Sequence, residues 1–156
     1  MNRALYEHTQ QGWPMRLAFG AAALLFVAMG ALQPPASAGL PRPALWLGAA
    51  AVLALGWLWP SLTVRIDGKA LRARFGHGWP RTTLRLADIA TVEVTRTTFW
   101  SGWGVHRTRR GWLHNVAVLD AVLVTRKDGR AALLGSDEPR RLKAALERAL
   151  ADRLRK

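Results

Sequence analysis

Histidines are the residues of this chain best suited to bind a metal ion or to exchange protons near neutral pH. Three of them, His77, His106 and His114, lie beyond residue 60. A metal site combines closely and regularly spaced ligands, often with carboxylates or thiolates. These histidines are 29 and 8 residues apart, and the chain contains no cysteine. We therefore predict no metal site and no cofactor.

Carboxylates and serines give no better basis for catalysis. Glu93 and Asp120 are too few, and no pattern places them together, so they predict no acid/base pair, and no serine stands in a nucleophile motif. The sequence predicts a protein that is not an enzyme. Five other acidic residues beyond residue 60 have predicted structural roles, in turns or at the start of a strand or helix. They are Asp67, Asp88, Asp128, Asp137 and Glu138.

Aromatic and guanidinium groups alternate in the segment Phe99–Asn115, which departs from strand periodicity and is therefore unlike plain sheet. Such groups suit a lipid interface, where arginine pairs with phosphate, or a protein contact. Tryptophan is more often buried than exposed, so the rings could instead fill the core. In a third arrangement Trp103 and Trp112 pack inward and the arginines face out. The predicted binding surface comprises Trp100, Trp103, Arg107, Arg109, Arg110 and Trp112.

The positive charge is concentrated in residues 61–156, which hold 20 Lys and Arg against 9 Asp and Glu, a formal charge of +11. A solvated basic face is one interpretation, and attraction to an anionic membrane leaflet is another. Nucleic acid would also attract this charge, but no recognised binding motif is present. We expect lipid headgroups or a membrane protein as partners and no specific nucleic acid.

Two apolar segments dominate the N-terminal part, residues 15–32 and 44–59. A proline-rich loop separates them, and a polar segment, residues 1–14, precedes them. About 17–25 apolar residues are needed for a helix to cross a bilayer, so residues 15–60 are predicted to form a transmembrane hairpin. Two alternatives remain open. The segments could be a buried hairpin of a soluble protein, or the first could be a signal peptide cleaved near Ala36-Ser37-Ala38.

Basic residues predict the orientation of this hairpin, because they favour the cytoplasmic side. The loop between the helices holds only Arg42, whereas Arg3 and Arg16 lie near the first helix and four more basic residues follow the second. Both termini are therefore expected in the cytoplasm. Arginine far outnumbers lysine, as in GC-rich bacterial genomes. The predicted location is the bacterial inner membrane, as a multi-pass protein.

From Leu62 the pattern changes to the period of two that is typical of strands. Alternating runs flank Asp67-Gly68 and Lys127-Asp128-Gly129, which predicts two hairpins. The last element is a helix: Ser136, Asp137 and Glu138 are candidate caps, and Pro139 suits the first turn. Its predicted apolar stripe, packed over the sheets, comprises Leu142, Ala145, Leu146, Ala149, Leu150 and Leu154.

The sequence thus predicts a transmembrane hairpin followed, over residues 61–156, by a mainly-β (α+β) domain of six to seven antiparallel strands and one C-terminal helix. This layout resembles pleckstrin-homology domains, as found in small bacterial membrane proteins that carry a transmembrane hairpin before such a domain. The resemblance covers residues 62–154. It is carried by Leu62–Phe75, Leu86–Val94, Trp103–Arg107 with Gly111-Trp112, Lys127–Arg130, and Leu134–Pro139 with the helix that follows.

The resemblance implies a fold and a membrane location and implies no catalytic activity, since this fold serves lipid, peptide and scaffold roles. The expected function is a membrane-anchored binding or scaffolding module at the cytoplasmic face. The alternative is a subunit or regulator of a membrane enzyme or transporter complex. Two short helices with few charges cannot form a pore alone, so a transport role requires partners. The oligomeric state is left open by the sequence.

Overall fold

The computed structural model of the chain describes residues 4–34, 39–58, 60–98, 104–109, 111–116 and 119–155. Two apolar helices come early, α1 (Trp13–Leu32) and α2 (Arg42–Leu58). The 20 residues of α1 extend about 30 Å, the thickness of a hydrocarbon core. By length and composition, α1 is the helix among the described residues that is able to cross a membrane, while α2 is apolar but shorter, with 17 residues.

Glycines allow the two helices to pack closely. The Trp46 ring lies so near Gly30 that a Cβ added there would be 2.6 Å from the indole Nε1. Small residues let helix backbones approach in this way. Ring-on-glycine contacts recur along the pair, with Phe26 on Gly48 and Phe19 on Gly56.

The outward side of the helix pair is covered with large apolar side chains. The exposed apolar area is much larger than that of the scattered apolar residues on a soluble protein. Such a surface needs lipid or another protein around it. These exposed residues are Leu17, Leu24, Leu25, Val27, Met29, Leu32, Leu47, Leu53 and Leu55.

A strand that the sequence did not indicate, β1 (Tyr6–Gln11), precedes α1. It pairs antiparallel with β2 (Ser61–Ile66), which follows α2. The Gly12 N–H donates to the Pro60 carbonyl at 2.9 Å. The inward positions of β1 are mostly polar, so the sequence shows no apolar alternation there. The strand is recognised only from its pairing with β2, which is distant in the chain. The two ends of the helix pair are therefore joined within one sheet.

Two sheets form the β domain. Sheet A is antiparallel, in the order β1-β2-β3-β4, with β3 at Ala70–Phe75 and β4 at Arg81–Arg85. A short 3-10 helix, Leu86–Asp88, leads to sheet B. Sheet B has the order β5-β8-β9-β7-β6. Its strands are β5 (Ile89–Arg96), β6 (Gly104–Thr108), β7 (Gly111–Asn115), β8 (Asp120–Arg126) and β9 (Ala131–Gly135).

Helix α3 (Pro139–Leu154) closes the domain by packing on β5, β8 and β2. Glu138 occupies the N-cap position, but no side chain forms a cap hydrogen bond, so the expected capping is wrong. The Ser136 Oγ accepts the N–H of Glu138 itself at 3.1 Å, and Asp137 contacts Nε2 of His8 at 2.7 Å. A single core joins both sheets and α3, and its fully buried members include Leu62, Ile66, Leu71, Phe75, Leu86, Val122, Val124, Leu134, Leu142 and Leu146.

The expected general order, an apolar helical part, then a β-rich domain, then a C-terminal helix, is confirmed. The expected six to seven strands over residues 61–156 are wrong, since the described residues of that range contain eight, and β1 adds a ninth from before the helices. The expectation of purely antiparallel sheets is also wrong, because β7 and β9 run parallel. Residues 104–108 and 111–115 are strands, although the segment was expected to be irregular. Leu154 does not pack on the sheet: it is 90% exposed, because the buried stripe of α3 ends near Leu150.

Candidate binding surface

The hairpin of β6 and β7 carries three of the predicted site residues. Arg107 and Trp112 lie directly opposite each other across the two strands, so their side chains project from the same face. Arg109 follows in the connecting turn, which the Thr108 hydroxyl closes by donating to the Gly111 carbonyl at 2.8 Å. Trp112 is 53% exposed. The alternative in which this ring packs inward is therefore wrong.

Gly111 determines how closely this hairpin approaches β9. Its φ is +134°, a conformation that L side chains rarely adopt. A Cβ at this position would also collide with the carbonyl group of Ala131. Only glycine lets β7 start here and run parallel to β9, with Trp112 beside Ala132.

The β8–β9 turn supplies a further arginine. The Asp128 carboxylate accepts the Arg130 backbone N–H at 3.0 Å, and Gly129 takes a φ of +81°. Arg130 thereby lies beside the hairpin. Together they form a surface depression of about 480 Å³, here called the Arg/Trp depression. Its lining is Arg107, Thr108, Arg109, Gly111, Trp112, Gly129, Arg130 and Ala131.

This depression is strongly basic. Three arginines line it, and its lining contains no carboxylate. Among the described residues Arg107, Arg109 and Arg130 take part in no ion pair, whereas nearby Arg126 contacts Asp128 at 3.3 Å. Unpaired guanidinium groups beside an exposed indole ring can accept a carboxylate or phosphate in bidentate geometry.

Two neighbouring depressions continue the basic surface. One, of about 420 Å³, shares Trp112 and Arg130 with the first. The other, of about 790 Å³ on sheet A, shares Thr82 and Thr83 with the second. Among all the residues that line the three depressions, Asp67 is the one that carries a carboxylate. The arginines in them are Arg65, Arg72, Arg74, Arg81, Arg107, Arg109, Arg126 and Arg130.

His114 lines the middle depression and is almost completely buried. Burial lowers the pKa of its imidazole, and a hydrogen bond with the Trp112 backbone opposes this effect only partly. The ring is therefore neutral at neutral pH. Its Nδ1 has no hydrogen-bond partner among the described residues.

The Arg/Trp depression lies toward the end of the domain opposite the helix ends. The Leu86 N–H donates to the Lys69 carbonyl in the β2–β3 turn at 3.0 Å, and the Lys127 N–H donates to the Asp88 carbonyl at 2.8 Å. These two bonds connect the β8–β9 turn to the β2–β3 turn. Six-residue β2, about 20 Å long, separates the latter from α2.

Of the predicted site residues, the structure brings Arg107, Arg109 and Trp112 together. The other three, Trp100, Trp103 and Arg110, lie outside the described residues. Sequence analysis missed Arg130, although its place directly after a predicted hairpin turn was a usable signal. No group of three or more potential metal ligands occurs among the residues that the structure describes.

Comparison with models of protein families, with curated proteins and with solved structures found no match to this chain. The resemblance to pleckstrin-homology domains therefore stays a prediction.

Proposed function

We propose that this protein is a membrane-anchored binding module of the pleckstrin-homology-like layout. It acts without catalysis of its own at the cytoplasmic face of a bacterial inner membrane. Its Arg/Trp depression binds an acidic surface of a membrane-protein partner. The observation that carries the proposal is the cluster of three arginines around the exposed ring of Trp112, none of which has an ion-pair partner among the residues that the structure describes.

The helix pair supports the anchor. Its outward side chains are apolar over the length of α1, which is long enough to cross the hydrocarbon core. Pairing of β1 with β2 supports one common side for both termini, because it joins the two ends of the pair within one sheet. The same pairing holds the β domain close to the membrane surface, which raises its effective concentration toward other membrane proteins.

The position of the depression favours a protein over lipid headgroups as its ligand. It lies toward the end of the domain away from the helix ends, whereas the headgroup layer is only about 5–8 Å thick on each side of the hydrocarbon core. Arginine and tryptophan are also the residue types that most often dominate protein contacts. An acidic partner would supply carboxylates to the guanidinium groups that form no ion pair within the described part of the chain.

The test is photo-crosslinking in the protein's native cells. A photoreactive amino acid replaces the exposed Lys127 of the full chain, which lies in the β8–β9 turn beside the depression. We expect a protein adduct that is lost when Arg107 and Arg109 are both changed to Ser. The matched control changes Arg140 and Arg148, two exposed arginines of α3, and should keep the adduct. The proposed role of the depression would be refuted if both double variants lost the adduct equally, or if neither variant lost it.

A further inference from the structure

The turn between β3 and β4 is held against the ends of the two apolar helices. The Gly76 N–H donates to the Ser61 carbonyl at 2.8 Å. A Cβ on Gly76 would collide with the Pro60 ring, so only glycine permits this approach. His77 stacks on Trp57 in the last turn of α2, with 4.1 Å between ring centroids. The turn therefore stands at the level where α2 ends.

Exposed tryptophans surround this level. Trp13 at the start of α1, Trp57 near the end of α2 and Trp79 in the β3–β4 turn are each more than 60% exposed. The Arg16 guanidinium lies over the Trp13 ring at 5.2 Å. Amphipathic rings with neighbouring cations are typical of the headgroup layer. These three rings come from three separate elements, so tertiary structure brings them to one level.

Two arginines flank the β3–β4 turn, one in each of the strands that it joins. Arg74 of β3 and Arg81 of β4 are opposite each other in the ladder. Like charges at directly opposed positions disfavour strand pairing. Both side chains are exposed, and neither forms an ion pair among the described residues. Two rows further from the helices, Arg72 does have a carboxylate partner, Asp67, at 3.4 Å.

We propose that Arg74 and Arg81 together bind the phosphates of anionic lipid headgroups while Trp79 sits among those headgroups. This inference rests on the membrane anchoring in the proposed function, and it concerns a different surface from the Arg/Trp depression. Phosphate between two guanidinium groups removes their mutual repulsion, and each arginine can bind it in bidentate geometry. The domain is then held at the membrane by its turn as well as by its helices.

The experiment uses the full chain in lipid nanodiscs, either of phosphatidylcholine alone or mixed equally with phosphatidylglycerol. Backbone amide exchange is measured for residues 76–81. We expect about five-fold slower exchange per arginine in the anionic discs, the effect of one basic residue at an anionic surface. Arg81→Gln should remove one of the two five-fold factors and leave about a five-fold difference between the two lipids. Trp79→Ala should speed exchange in both, because the ring anchors independently of lipid charge.

Arg85→Gln is the matched control, since Arg85 lies at the other end of β4, roughly 13 Å from Arg81. It should leave the lipid dependence intact. Equal exchange in the two disc types, or equal effects of Arg81→Gln and Arg85→Gln, would overturn the inference. Alkaline extraction of native membranes separates the two proposals. If the chain stays in the membrane but amide exchange is the same in both disc types, the anchoring is supported and the arginine pair does not bind phosphate. If the chain is extracted, the anchoring itself fails.

Discussion

Replacing Asp67 by Ala should strongly destabilise the β domain. Asp67 is buried in the β2–β3 turn, where its Oδ1 accepts the N–H groups of Lys69 and Ala70, both at 2.8 Å. Its other oxygen lies 3.4 Å from the Arg72 guanidinium. Alanine removes these acceptors and leaves the N–H of buried Ala70 unpaired.

The size of the effect follows from these contacts. Hydrogen bonds to a charged group contribute about 1.5–3 kcal/mol each, and the exposed Arg72 adds little. Because such terms do not add fully, we expect Asp67→Ala to cost about 3–4 kcal/mol. Asp67→Asn keeps an acceptor oxygen and should cost about 1–2 kcal/mol. Asp128→Ala is the control: that carboxylate is exposed and accepts one backbone N–H, so we expect about 1 kcal/mol or less.

The same residue predicts a dependence on pH. Burial alone would raise the pKa of Asp67, but the two backbone hydrogen bonds and the charges of Arg72 and Arg65 outweigh it, so the pKa is lowered. The stabilisation is therefore complete above the ordinary pKa of 3.8 and is lost as the pH falls through the folded-state value. Denaturation of the full chain in neutral detergent, followed by circular dichroism, measures both effects. A pH-independent gap between wild type and Asp67→Asn, or a cost of Asp67→Ala no larger than that of Asp128→Ala, would refute this reasoning.

Three further predictions concern the fold. Leu146→Asp should cost at least about 4 kcal/mol in the same denaturation assay, since it places a carboxylate at a fully buried position under the sheets; unchanged stability would mean that α3 does not dock. Gly111→Ala should lower the free energy of unfolding by about 3 kcal/mol or more, through strain at positive φ and collision with Ala131. Backbone amide exchange in β7 and β9 like that of wild type would contradict the close approach of these two strands. In spheroplasts, an impermeant thiol reagent should label Leu40→Cys in the helix loop and not Ala151→Cys, and the reverse pattern would sink the proposed orientation.

Local patterns were sufficient for several elements of this fold. Apolar runs predicted the two N-terminal helices, and alternation around Asp67-Gly68 and Lys127-Asp128-Gly129 predicted the hairpins that are present. The α3 stripe was right as far as Leu150. Each of these elements is determined by residues near one another in the chain, so periodicity and turn chemistry reveal it.

Other features depend on residues far apart in the sequence. Strand β1 exists because β2, about 50 residues later, offers it a partner. Likewise β7 lies beside β9 because Gly111 admits a carbonyl group from another strand. The segment around Arg107 and Trp112 was picked out by composition, yet only the arrival of Arg130 from the β8–β9 turn makes it a depression. Composition determined that this protein is basic and has two long apolar helical segments. Tertiary structure decided which charges stand together and at what distance from the helix ends, because strand pairing brings together side chains that no local pattern relates.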